Sequence, residues 1–142
     1  MNSISVSRTT DKSREALWAK LQDFPNIADW ASGVKTSTQT SSEPTGVGAT
    51  RHCVVGGNGT LDETIQRLDD QRQMVISIDK TTKLPVKSAV STFTIEDPAE
   101  GRRISMESEV GLKGIGKLMG PILRKGLAKG NGKLLEEWAA AA

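Results

Sequence analysis

Most of the residues able to do chemistry lie in two neighbouring stretches. Arg51, Cys53 and Val55 fall two apart in a run that alternates like a β-strand, so their side chains share one face. Glu63 lies in the next alternating run, on a face with Leu61 and Ile65. An arginine and a glutamate on adjacent strands can pair with each other, or grip the carboxylate or enolate of a ligand. Pairing is the favoured reading, because an isolated buried charge is costly. Glu107 and Glu109 share a face of a later run, where acid–base work would need them turned inward. The apolar alternation of Ile104, Met106 and Val110 argues for the opposite orientation, with both glutamates in solvent.

Other chemistries are poorly served. His52 is the single histidine and neighbours Cys53, but adjacent strand residues point to opposite faces, so the two cannot form a nucleophile–base pair. With one histidine and one cysteine, no metal site is expected. The segment 111–117 reads G-x-x-x-x-G-K, yet Leu118 follows where a phosphate-binding loop needs a hydroxyl for magnesium. Gly46-x-Gly48 precedes a strand rather than a helix and reads as a turn. No cofactor is expected.

A length of 142 residues, with 36% hydrophobic and 25% charged, suits one domain over 1–142 with a single core. That core must be largely aliphatic, because there are three Trp, two Phe and no Tyr. A net charge of +2 is too small to imply a nucleic-acid partner. One cysteine precludes an internal disulfide, the start MNSISVSRTT has no apolar signal core, and no apolar run approaches the roughly 20 residues of a membrane span. The expectation is a cytoplasmic protein.

The elements that must position these groups follow from periodicity. Residues 2–9 alternate as a half-buried strand. Asp11 or Ser13 caps a helix whose buried stripe is Ala16, Leu17, Leu21 and Phe24, with Trp18 at its edge. Pro25 ends it, and 25–31 forms a second short helical turn. Strands are then predicted over 34–40, 47–55, 60–68, 74–78, 89–95 and 103–110, with a tight glycine turn at 56–59. Their short connections make neighbours antiparallel. Residues 114–142 read as a long helix with Ile115, Leu118, Met119, Ile122, Leu123, Leu127, Leu134, Leu135 and Trp138 on its apolar stripe. Pro121 should start or kink its regular part, and Gly126, Gly130 and Gly132 each weaken it by about 1 kcal/mol. The predicted class is α+β: a curved seven-stranded antiparallel sheet around a long C-terminal helix, with two short helices after the first strand.

That order resembles the START-like, helix-grip (SRPBCC) superfamily, above all its polyketide cyclase/dehydrase branch. The resemblance rests on Ala28-Asp29-Trp30 after the helical entry, on Gly48-Ala49-Thr50-Arg51 with E-T-I-Q-R-L-D at 63–69 across a glycine turn, and on Leu84-Pro85-Val86 before the sixth strand. It covers nearly the whole chain. It implies a cavity between sheet and helix for lipids, hormones, quinones or polyketides, with Arg51, Cys53 and Glu63 facing it, and with Glu107 and Glu109 joining Glu63 in an acid–base cluster. It places Ser88 at a strand start where many relatives carry tyrosine. The three tryptophans are more often core than ligand platforms, and Trp30, which follows the short helix beside the expected mouth, is the best candidate for the cavity rim. With Lys87-Ser88 at that strand start and no tyrosine anywhere, phenol-based acid catalysis is excluded.

Three functions remain in view. The first is binding of a hydrophobic small molecule (lipid, quinone or polyketide-like), with Val55, Leu61, Ile65, Ile76, Ile78, Leu123 and Leu127 as apolar contacts and Arg51 and Glu63 orienting a polar end. The second is a cyclase/dehydrase-type enzyme in which Glu63 or Glu107 moves protons. The third is a non-catalytic lipid or quinone chaperone that docks on an anionic membrane surface or an acidic partner through Lys113, Lys117, Arg124, Lys125, Lys129 and Lys133. A solvated helix face is the preferred account of those six cations.

Overall fold

Ser13 sets the start of the first helix, because its Oγ accepts from the Ala16 N–H at 3.1 Å. In the computed structural model, which describes residues 2–114 and 120–142, strand β1 (Asn2–Thr9) leads into this helix α1 (Arg14–Gln22) and a 3₁₀ segment (Phe24–Asp29). Strands β2 (Val34–Gln39), β3 (Thr50–Val55), β4 (Thr60–Asp69), β5 (Gln73–Thr82), β6 (Val86–Glu96) and β7 (Arg103–Leu112) follow. Helix α2 is described over Gly120–Ala141. The strands form one antiparallel sheet in the order β1-β7-β6-β5-β4-β3-β2.

Register shifts bend that sheet. They fall between Val34 and Thr36, between Asp62 and Glu63, between Ile65 and Arg67, and between Val86 and Ser88. Each extra residue kinks its strand and increases the local twist, so the sheet curls towards α2. The predicted architecture holds: a curved seven-stranded antiparallel sheet with a C-terminal helix.

Several local expectations need correction. Residues 47–49 are turn rather than strand, and Val47 is 68% exposed. Gly46 and Gly48 have φ of +99° and +92°, a backbone that no strand adopts, so the pleat begins only at Thr50. Strands β5 and β6 run further than their apolar cores suggested, because Thr81 Oγ1 donates to Val86 O at 2.6 Å and extends the hairpin to its tip. Trp18 is buried rather than at an edge, while Ala16 is only half-buried. On α2, Ile122 is 67% exposed and lies off the buried stripe. Ile115, Leu118 and Met119 of that predicted stripe lie outside the described residues, as does Lys117 of the glycine–lysine segment.

The main core joins Leu17, Trp18, Leu21 and Phe24 to Ile65, Met74, Ile76, Phe93, Ile95, Ile104 and Met106 of the sheet, and to Leu135 and Trp138 of α2. Trp138 meets Phe93 edge to face at 6.1 Å, and its Nε1 donates to Leu17 O at 2.8 Å. The C-terminal half of α2 is therefore packed tightly. Towards its start the helix covers a second cluster of Ile4, Val86, Ala89, Val110 and Leu112 with half-buried Leu123 and Leu127. Between the two clusters the stripe of α2 carries Asn131, flanked by Gly130 and Gly132, and these residues fill little volume.

Candidate functional site

Alternation along β3 and β4, which are paired antiparallel with Arg51 opposite Glu63, brings the two charged candidates together. Arg51 Nε donates to Glu63 Oε1 at 2.9 Å, with the side chains 5% and 12% exposed. Arg51 Nη1 donates to Phe24 O at 2.8 Å, and its guanidinium carbon lies 3.9 Å from the centre of the Phe24 ring. The Cys53 thiol is in reach of the same carboxylate, with Sγ 3.6 Å from Oε1. Burial, then the Glu63 charge, push that thiol from 9.0 up to about 12, so it is no nucleophile near neutral pH. The cluster ties the 3₁₀ segment to the sheet, and its donors and acceptors are turned on one another.

The gap under α2 is a cavity of about 250 Å³. Ile4, Leu61, Ile78, Val86, Ala89, Met106, Val110 and Leu127 give it apolar walls, and Leu84 and Pro85 of the β5–β6 hairpin close one side. The hairpin tip is held in place: Lys113 N–H donates to Pro85 O at 2.7 Å, and Lys113 Nζ to Thr81 O at 3.3 Å. Gly59 permits the approach of Leu84, since a Cβ there would lie 2.6 Å from Leu84 Cδ2. The polar wall groups are Ser91, Ser108 and Asn131. Among the described residues bordering the cavity none is ionisable. A larger groove of about 990 Å³ runs beside Thr9–Lys12, the 97–102 turn and Ala139, but it is open to solvent and encloses nothing.

Leu61, Ile78 and Leu127, predicted from sequence, border the cavity. Leu123 packs beside it in the second cluster. Ile65 and Ile76 are buried in the main core, and Cys53 in a third cluster with Ile27 and Ala31. Val55 is half-buried at the end of β3. Trp30 is half-buried between the first and third clusters, with a buried Nε1 that finds no acceptor among the described residues. Arg51 and Glu63 lie beyond the cavity wall, bonded to each other. Ser88 is exposed, with its Oγ 2.9 Å from where a Cβ on Gly111 would stand.

Glu107 and Glu109 are exposed on the outer face of β7, because Ile104, Met106, Ser108 and Val110 take the inner one. No acid–base cluster forms with Glu63. His52 also lies on the outer face, where its Nδ1 donates to Asp62 Oδ1 at 2.6 Å. Arg124, Lys125, Lys129 and Lys133 are exposed along α2. Among the described residues no group of three or more His, Cys, Asp or Glu could hold a metal, and no helix is long and apolar enough to cross a membrane.

Sequence reasoning missed Ser91, Ser108 and Asn131. The signal was present. Each occupies an inward position of an otherwise apolar series: Ala89, Ser91, Phe93 in β6; Met106, Ser108, Val110 in β7; and Leu127, Asn131, Leu135 in α2.

Residues 1–142 match the family model described as polyketide cyclase/dehydrase and lipid transport. None of the curated proteins matches the chain. Among solved structures, a protein of Thermus thermophilus is similar, with TM-score 0.81 at 14% identity, covering 99% of this chain and 96% of that one. The protein XoxI from Bacillus cereus gives 0.75 at 20%, covering 95% and 93%. A START superfamily protein from Mycobacterium smegmatis gives 0.69 at 16%, covering 95% and 97%.

Proposed function

Because the chain belongs to the polyketide cyclase/dehydrase and lipid transport family, we propose that it binds a small hydrophobic molecule in the cavity between its sheet and α2. The observation that carries this reading is the wall itself, aliphatic on nearly every side and bordered by no ionisable side chain among the described residues. A cyclase or dehydrase step moves protons, and needs a group in contact with the ligand that can hold one. Glu63 is committed to Arg51 and Glu107 faces solvent, so binding is favoured over turnover.

Volume narrows the ligand. A cavity of about 150 Å³ in a protein interior takes up benzene, so by proportion this one accommodates about ten non-hydrogen atoms. A two-ring aromatic or a short-chain compound fits, including the smallest quinones; a sterol or a long-chain fatty acid does not.

Thermal unfolding tests this directly. A two-ring ligand such as naphthalene or 1,4-naphthoquinone at about 100 times its Kd adds about 2.7 kcal/mol, on the order of 8 °C in Tm. Cholesterol and palmitate leave Tm unchanged, and Leu127→Trp, which fills the cavity, abolishes the rise. If no two-ring compound raises Tm, the reading fails.

A further inference from the structure

Inside the apolar cavity three uncharged polar side chains converge. Ser91 of β6 and Ser108 of β7 stand directly opposite in the sheet register, and their hydroxyls share a hydrogen bond at 2.8 Å. Asn131 reaches down from α2, and its Nδ2 donates to Ser108 Oγ at 3.2 Å. Both serines are buried, at 7% and 3% exposure, and all three residues border the cavity.

Stability gives little reason for this arrangement. Replacing both partners of a buried hydrogen bond by apolar groups of similar shape is often neutral or stabilising. Asparagine is also a weak helix former, and here it interrupts the leucine stripe of α2. The trio further has capacity to spare. The hydrogen bonds described use one of the two Asn131 N–H donors and one serine proton. The second amide N–H, Asn131 Oδ1 and the remaining hydroxyl proton make no other bond among the described residues, so donors and an acceptor are in place for a ligand.

Resting on the reading of the cavity as a binding site, we infer that Ser91, Ser108 and Asn131 form a recognition point for one uncharged hydroxyl or carbonyl group on an otherwise apolar ligand. A hydroxyl can accept from the amide N–H and donate to Oδ1; a carbonyl uses the donors alone. A carboxylate is rejected, because no cation among the described residues borders the cavity to offset its desolvation. The trio thus selects by polarity where the leucines select by size.

Equilibrium dialysis with three probes built on one two-ring system tests the inference: naphthalene, 1-naphthol and 1-naphthoate. The expected result is that 1-naphthol binds about tenfold more tightly than naphthalene, the worth of a good net hydrogen bond, while 1-naphthoate does not bind. In the Ser108→Ala/Asn131→Leu variant the two neutral probes bind equally. Should that variant not fold, Ser91→Ala is expected to narrow the preference by itself. Equal binding of naphthalene and 1-naphthol by the unaltered protein overturns the recognition point and leaves the cavity reading intact. So does a preference that survives the substitutions, or 1-naphthoate binding as well as 1-naphthol. Binding of none of the three overturns both.

Discussion

Removing the carboxylate at position 63 leaves the Arg51 guanidinium buried with only Phe24 O and the Phe24 ring for company. Breaking a buried pair from one side costs about 3–5 kcal/mol, so Glu63→Ala should lower the urea midpoint by that equivalent. Affinity for a two-ring ligand should stay nearly unchanged; the opposite pattern, stability kept and binding lost, would return the pair to the ligand site. Cys53 gives a pH prediction. Its thiol is raised from 9.0 to about 12 in the fold, so the unfolded chain ionises first as pH rises. Stability from this group is complete below pH 9, falls as pH climbs from there, and levels off near 12. Denaturation from about pH 8 to about pH 11 should show a steeper loss in the native protein than in Cys53→Ala. The Arg51–Glu63 pair was legible in the sequence because both partners lie on adjacent strands of one hairpin. The Ser91–Ser108–Asn131 trio was not, since its members come from two strands and a helix whose mutual register is set only by packing.

Helix α2 works unevenly along its length. Trp138 and Leu135 are fully buried, whereas Leu127 and Leu123 are half-buried over the cavity. Trp138→Ala should therefore cost about 3–5 kcal/mol, and Leu127→Ala only about 1 kcal/mol, since its neighbours already border empty space. Equal losses at the two positions would mean that the helix packs uniformly and the cavity is closed. The β5–β6 hairpin makes a second, gentler test. Gly59→Ala forces Leu84 away from its present position, because the new methyl would sit 2.6 Å from Cδ2. Ligand affinity should change severalfold with Tm nearly constant, as thermal unfolding paired with a binding titration would show. At this scale the sequence was most informative where turns are tight and alternation strict. It misjudged the start of β3, where Val47 continues the apolar pattern but two positive-φ glycines forbid the pleat. It also misjudged Ile122, whose spacing fits the stripe of α2 while its side chain faces water.

At the scale of the whole molecule, strand order was only partly legible: the hairpins from β2 to β7 follow from short connections, but nothing local announces that β1 lies beside β7. That pairing sets Ile4 against Ser108 and Val6 against Met106, joining the first strand of the chain to the last. Contacts so distant along the chain are slow to form, and refolding should take milliseconds to seconds rather than microseconds. The same pairing governs the order of events on the ribosome. The first strand emerges with no neighbour to join until β7 has been made, and the core around Leu17 waits still longer for Trp138. A nascent chain halted after β6 should remain open to protease along its entire length, its apolar strands in the care of chaperones. The fold closes only once its last helix has been made.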